Sequence, residues 1–162
     1  MLYQKMKRLL FALSLIMATG CIKAQPPVIA PYKMLKMDNT YTTNADLQKN
    51  KPVMLIYFAP DCSHCQKLIY DMKPKMNSFK DLQVVMITFT DIKMVKAFDH
   101  DFNISAYKNF TMGTEGYGGS VQKYYQITTT PFVAVYDRNG FLVKSFTKVP
   151  KIPELIEAVK KV

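Results

Sequence analysis

The chain has 162 residues, with 22 lysines and arginines against 12 acids and a formal charge of +10. The charge is scattered, with no dense basic run and no nucleic-acid motif, so it reads as a solvated surface with at most mild attraction to acidic partners or anionic membrane. Three cysteines are too few for a disulfide framework built for stability.

Residues 1–24 read as a segment outside the fold. Lys5, Lys7 and Arg8 form a basic start, residues 9–18 (LLFALSLIMA) an apolar core, and small residues follow. That core is too short to span a bilayer as a helix, and the order of the three regions is that of a secretory signal peptide. Two processing routes are open. Ala18-Thr19-Gly20-Cys21 resembles a lipobox, which would make Cys21 a lipidated N-terminus, although Ala18 stands where Leu is commoner. Cleavage after Ala24 suits an ordinary signal peptidase but puts Ile22 three residues before the cut. Either route places the mature chain outside the cytoplasm (periplasmic, membrane-anchored facing the periplasm, or secreted), where disulfides persist. Membrane contact would come only through the lipid anchor. Without Lys5, Lys7, Arg8 and Lys23, 18 basic and 12 acidic residues leave the mature chain near +6. Its residues 25–162 suffice for one domain with a real core.

Residues 25–31 read as a proline-containing tether. Residues 32–37 alternate imperfectly and suit a strand, Asp38-Asn39-Thr40 is a turn signal, and Thr43 or Asn44 can cap a short helix through Gln48.

Residues 51–72, KPVMLIYFAPDCSHCQKLIYDM, organise the rest. A continuous apolar run, 53–59, stops at Pro60-Asp61. Cys62-Ser63-His64-Cys65 follows, then Leu68, Ile69 and Met72 at helical spacing. This predicts a buried strand, a tight turn and a helix whose first turn carries both cysteines. One helical turn separates positions i and i+3, so the sulfurs share a face and can form a disulfide. The first cysteine falls at or near the helix N-cap, where unpaired N–H groups and the helix dipole favour a thiolate. A thiol of pKa about 8.5 is only ~3% ionised at pH 7, and one of about 6.5 is ~75% ionised. The two-unit difference is ~2.7 kcal/mol, more than the roughly 0.3–2 kcal/mol of a helix terminus, so a second contribution is needed. His64 can supply it as a cation or hydrogen-bond donor, while the carboxylate of Asp61 works the other way. Two cysteines three apart, outside the cytoplasm, point to a reactive pair rather than a static staple or half of a zinc site. For zinc the chain offers only His64, His100 and carboxylates as further ligands.

Pro74 should kink or end the helix begun at Cys62, which would otherwise run to about residue 78. Residues 82–89 (LQVVMITF) form a second buried run, so strand, helix and strand make a right-handed βαβ unit with parallel strands. Asp91 can cap the next helix, with Ile92, Val95, Phe98 and Phe102 facing inward. His100, between Asp99 and Asp101, fits a solvated helix end better than a metal site. Residues 103–120 are rich in glycine and aromatics and read as an insertion, either a rim near the dithiol or a packed surface loop. Thr128-Thr129-Thr130-Pro131 precedes a strand over 132–136, a hairpin turn at Arg138-Asn139-Gly140 and a strand over 141–147. Pro153 opens a last helix with Leu155, Ile156, Val159 and Val162 facing the sheet.

FAPDCSHC before a helix, and YYQITTTPFVAVYDRNGFLVKSF further on, resemble the thioredoxin superfamily, closest to the extracytoplasmic TlpA-like thiol–disulfide oxidoreductases. The resemblance covers residues 32–162. It implies an α/β thioredoxin fold: a mixed central sheet flanked by helices, with an N-terminal extension and an insertion before the cis-proline strand. It implies a cis Thr130–Pro131 bond packed beside the cysteines, with the Thr130 backbone open to an extended substrate chain. It implies catalysis by Cys62 and Cys65 through their own redox-active disulfide, with no other cofactor and no metal. The expected partners are protein thiols and disulfides and a membrane-bound or soluble redox partner. Two departures stand out. Asp61 replaces the tryptophan common before the first cysteine, and Ile56 replaces thioredoxin's buried acid, so proton transfer to Cys65 needs another group, water or His64. The direction of electron flow stays open. Two rival readings are a thioredoxin-fold copper chaperone using Cys62, His64 and Cys65, and a peroxiredoxin-like peroxidase, whose threonine-containing signature is missing before Cys62.

Overall fold

The computed structural model describes residues 25–162. Residues 1–24, read above as a signal peptide with Cys21 as a possible lipidation site, lie outside the described residues. Seven strands form one mixed sheet: β1 (Lys33–Lys36), β2 (Tyr41–Thr43), β3 (Val53–Tyr57), β4 (Gln83–Thr88), β5 (Phe110–Thr114), β6 (Phe132–Tyr136) and β7 (Leu142–Phe146), in the spatial order β2-β1-β5-β4-β3-β6-β7. β3, β4 and β5 run parallel, and the other pairings are antiparallel. Four helices flank the sheet: α1 (Ser63–Met72), α2 (Ile92–Phe102), α3 (Ser120–Tyr125) and α4 (Ile152–Val159).

β3 is buried along its whole length because both its faces are covered. Met54 and Ile56 pack with Leu68, Ile69 and Met72 of α1, Val95 and Phe98 of α2, and Leu155 and Ala158 of α4. Leu55 and Tyr57 point the other way, toward Val121 and Tyr125 of α3 and toward Ala30 and Tyr32. Each such side chain contributes about 1.5–3 kcal/mol on burial. These two clusters hold the central strand from both sides and fix where its carboxyl end emerges.

The local signals act as their chemistry dictates. α1 stops at Met72, and a 3₁₀ turn over Lys73–Phe79, with Pro74 near its start, buries Met76 and Phe79. Asp91 caps α2, its carboxylate accepting from the Lys93 N–H at 2.7 Å. Thr43 caps a 3₁₀ turn over Asn44–Asp46 in a reciprocal capping box.

Two expectations differ from the structure. Residues 103–120 are not simply an inserted loop, because β5 lies inside the sheet between β1 and β4. Gly113 makes this possible, since a Cβ there would run into the Leu35 carbonyl of β1. Glycine weakens a strand pattern, so a sequence reading places a loop where close backbone approach demands glycine. Residues 27–30 of the expected tether are no free linker either. Val28 bridges Phe141, the Leu142 N–H donates to the Pro27 carbonyl at 2.8 Å, and the Ala30 N–H donates to the Tyr125 hydroxyl at 2.7 Å. That hydroxyl also pairs with the Tyr136 hydroxyl at 2.6 Å in the buried interior. Its partners lie about a hundred residues away in sequence, beyond any local pattern.

Among the described residues no helix is long and apolar enough to cross a membrane.

Candidate active site

The carboxyl ends of β3, β4 and β5 share one edge of the sheet, the usual place for a site in parallel α/β architectures. The chain leaves β3 through Phe58 to Asp61, and the Cys62 N–H donates to the Ala59 carbonyl at 3.1 Å, closing the turn. Gln66 braces it from the helix, its side-chain amide donating to the Pro60 carbonyl at 2.8 Å. Cys62 is the N-cap of α1, with extended backbone (φ −82°, ψ 114°), and its carbonyl accepts from the Cys65 and Gln66 N–H groups at 3.0 Å.

Both cysteines are free thiols with opposite environments. Cys62 is partly exposed, whereas Cys65 is 1% exposed among the apolar side chains between α1 and the sheet. Burial alone would push Cys62 up, but hydrogen bonds from the Thr130 side chain, the Cys65 backbone N–H and thiol, and the His64 backbone N–H outweigh it. The net effect holds the thiol below its ordinary value. Burial pushes Cys65 up to about 12, against lowering contributions from the Ala59 backbone and the Thr130 side chain, while Cys62 adds to the rise. His64 therefore acts on Cys62 through its backbone N–H, and its ring, like the Asp61 side chain, stands exposed at the rim.

The structure brings Cys62, Cys65, Thr130 and Pro131 together across the gap between α1 and β6. The Thr130–Pro131 peptide is cis. The Cys62 thiol donates to the Thr130 carbonyl at 3.5 Å. An open groove of about 610 Å³ runs beside the pair, lined by His64, Phe89, Gln122, Thr128, Thr129, Thr130 and Lys148 among others. Sequence reasoning found His64 and Thr130 but missed Phe89, Gln122 and Lys148. These come from three separate stretches that only the sheet order brings together. Phe89 stacks on Tyr57 at 6.3 Å, and the Tyr57 hydroxyl donates to Glu115 at 2.9 Å, so the groove floor is tied to β5. His100 lies far out on α2, exposed and paired with Asp101 at 3.1 Å. No three His, Cys, Asp or Glu side chains converge as a metal site among the described residues.

The ionisation difference has a direct chemical consequence. At pH 7 a thiol of pKa near 12 is thiolate only about once in 10⁵ molecules, whereas one lowered from 9 is more than about 1% ionised. Limiting iodoacetamide on the reduced protein at pH 7 should therefore label Cys62 alone, by at least about a thousandfold. Peptide mass spectrometry checks this, and equal labelling of the folded protein would contradict it.

The profile of the thioredoxin-like domain matches residues 42–160, and the chain belongs to that family. No curated protein matches the sequence. Among solved structures, a secreted Mycobacterium tuberculosis disulfide oxidoreductase homologous to Escherichia coli DsbE superposes with a TM-score of 0.68 at 18% identity, covering 81% of this chain and 96% of its own. The DsbF protein of M. tuberculosis superposes at 0.69 with 21% identity, covering 85% and 98%. A putative protein disulfide isomerase from Bacteroides thetaiotaomicron gives 0.68 and 19%, covering 86% and 88%. At these identities the likeness is one of fold.

Proposed function

We propose that the protein is a thiol–disulfide oxidoreductase that works outside the cytoplasm on protein substrates through Cys62 and Cys65. The observation that carries this reading is the pairing of a partly exposed, easily ionised sulfur with a buried one that holds its proton. Cys62 attacks a substrate disulfide, or is attacked within the oxidised pair, to form a mixed disulfide. Cys65 then closes the ring or is released from it. Thr130 and Pro131 shape the docking surface, where the Thr130 backbone pairs with an extended substrate strand along the groove. His64 and Asp61 tune the pair from the rim. The electrons travel in the Cys62–Cys65 disulfide, so no further cofactor is required. The redox partner that resets the dithiol is a second thiol–disulfide protein, membrane-bound or soluble.

Secretion rests on the composition of residues 1–24 and is in keeping with the secreted neighbour from M. tuberculosis. Mass spectrometry of the mature N-terminus distinguishes a lipidated Cys21 from cleavage after Ala24.

A titration of the dithiol against glutathione tests the function and reads its direction. A potential below about −250 mV indicates a reductase and one above about −170 mV an oxidase. A dithiol that never equilibrates with glutathione removes the proposal.

A further inference from the structure

A second pocket lies at the other end of the sheet from the cysteines, by the amino ends of β3, β4 and β5. Its volume is about 430 Å³, within the roughly 300–1,000 Å³ of small-ligand sites. The five residues of β3 put roughly 15 Å of strand between it and the dithiol. Its walls are fixed by side chains bonded to backbone. The Gln83 amide donates to the Gln48 and Lys51 carbonyls at 3.0 and 3.2 Å, and the Gln83 oxygen accepts from the Gln48 N–H at 2.6 Å. The Asn109 amide donates to the Phe79 and Leu82 carbonyls at 2.9 and 3.1 Å. These amides hold the walls, and other groups face the space between them.

Tyr32 is 5% exposed, and its hydroxyl, with no hydrogen-bond partner among the described residues, opens into this pocket. Burial, with the Asp46 carboxylate nearby, holds that hydroxyl well above the ordinary tyrosine range, so it remains a donor. Thr111 stands in register with Val85, and its hydroxyl likewise has no partner among the described residues. Lys51, Lys80 and Lys108 line the same pocket, and none of them is in an ion pair among the described residues. The one carboxylate in the lining, Asp46, is already engaged. It accepts from the Thr43 N–H at 2.8 Å and from the Thr42 and Thr43 hydroxyls at 3.2 and 3.0 Å. Donors and positive charge therefore outnumber acceptors in a cleft that is already formed, and a buried donor left unmet is unfavourable.

We propose that this pocket binds the phosphate group of a small soluble phosphate ester, at a site separate from the thiol chemistry. Lysine ammonium groups serve phosphate as point charges, whereas the planar carboxylate is matched best by an arginine fork, and no arginine lines the pocket. A phosphate monoester offers three oxygens to the Tyr32 hydroxyl, the Thr111 hydroxyl and the lysines. Its organic part rests against Leu47 and Val85.

The test is calorimetric titration of the mature protein with inorganic phosphate and with phenyl phosphate at fixed ionic strength. Phenyl phosphate should saturate a single site and bind more tightly than inorganic phosphate. In Lys80→Gln/Lys108→Gln the dissociation constant should rise by at least about tenfold. In Tyr32→Phe it should rise by about tenfold while the melting temperature of the free protein holds, because the lost hydroxyl makes no internal bond. Lys93→Gln/Lys96→Gln removes the same charge from the exposed side of α2 and should leave binding unchanged. No saturable binding of either phosphate up to about 10 mM overturns the site. So does equal weakening by the α2 control, which would mark the binding as net charge alone. Saturation by citrate alone, or by phosphatidic acid vesicles alone, overturns the choice of a soluble phosphate ester.

Discussion

Replacing Cys62 with serine should reduce disulfide exchange to background, whereas Cys65→Ser should still attack and then stop at a covalent adduct. In Cys62→Ser the remaining thiol is buried and pushed up to about 12, so it has neither the ionisation nor the exposure to react. At pH 7 its thiolate population is about 10⁻⁵, which implies a loss of at least roughly a thousandfold. In Cys65→Ser the attacking sulfur keeps its N-cap position, the His64 N–H and the Thr130 contact. The partner able to break the mixed disulfide is gone, so turnover should fall equally far while the adduct persists. Non-reducing mass spectrometry after incubation with a protein disulfide distinguishes the two variants. Rapid product release by Cys65→Ser without an adduct would remove the resolving role.

The largest structural effect is expected from Gly113→Val. β5 is an interior strand, with Gly113 opposite Lys36 of β1 on one side and Ile87 of β4 on the other. A Cβ there meets the Leu35 backbone carbonyl, and backbone cannot swing aside as the end of a side chain can. Forcing β1 away should cost about 3 kcal/mol, the upper part of the usual overpacking range, lowering the melting temperature by roughly 10 °C. β4 stands between β5 and β3, so the junction carrying the cysteines should keep its geometry. Thermal unfolding followed by circular dichroism, with Cys62 alkylation at a temperature where the variant is folded, reads both parts. A melting temperature unchanged within about 2 °C would contradict the close approach of β1 to β5.

The active-site junction was legible because its signals are local. An apolar run ending at Pro60-Asp61, two cysteines one helical turn apart and helical spacing at Leu68, Ile69 and Met72 all fall within about twenty residues. The caps at Thr43 and Asp91 and the end of α1 ahead of Pro74 were equally local. The cis Thr130–Pro131 bond came through family resemblance, since the residues around a proline do not by themselves select it. β5 was hidden because the feature that admits it to the sheet, the missing side chain of Gly113, looks like a loop signal. The docking of residues 27–30 was hidden because its partners, Tyr125 and Phe141, follow about a hundred residues later.

By itself, then, the chain's order of residues determined that a strand ends in two sulfurs at the start of a helix, because strand, turn and cap each depend on neighbours a few positions away. Only the tertiary structure decided how those sulfurs differ. Burial in the apolar cluster between α1 and the sheet raises one, and Thr130, brought from the other side of the site by the order of the strands, helps lower the other. Ionisation depends on what surrounds a sulfur in space, and that neighbourhood includes Thr130, 68 positions from Cys62 in sequence.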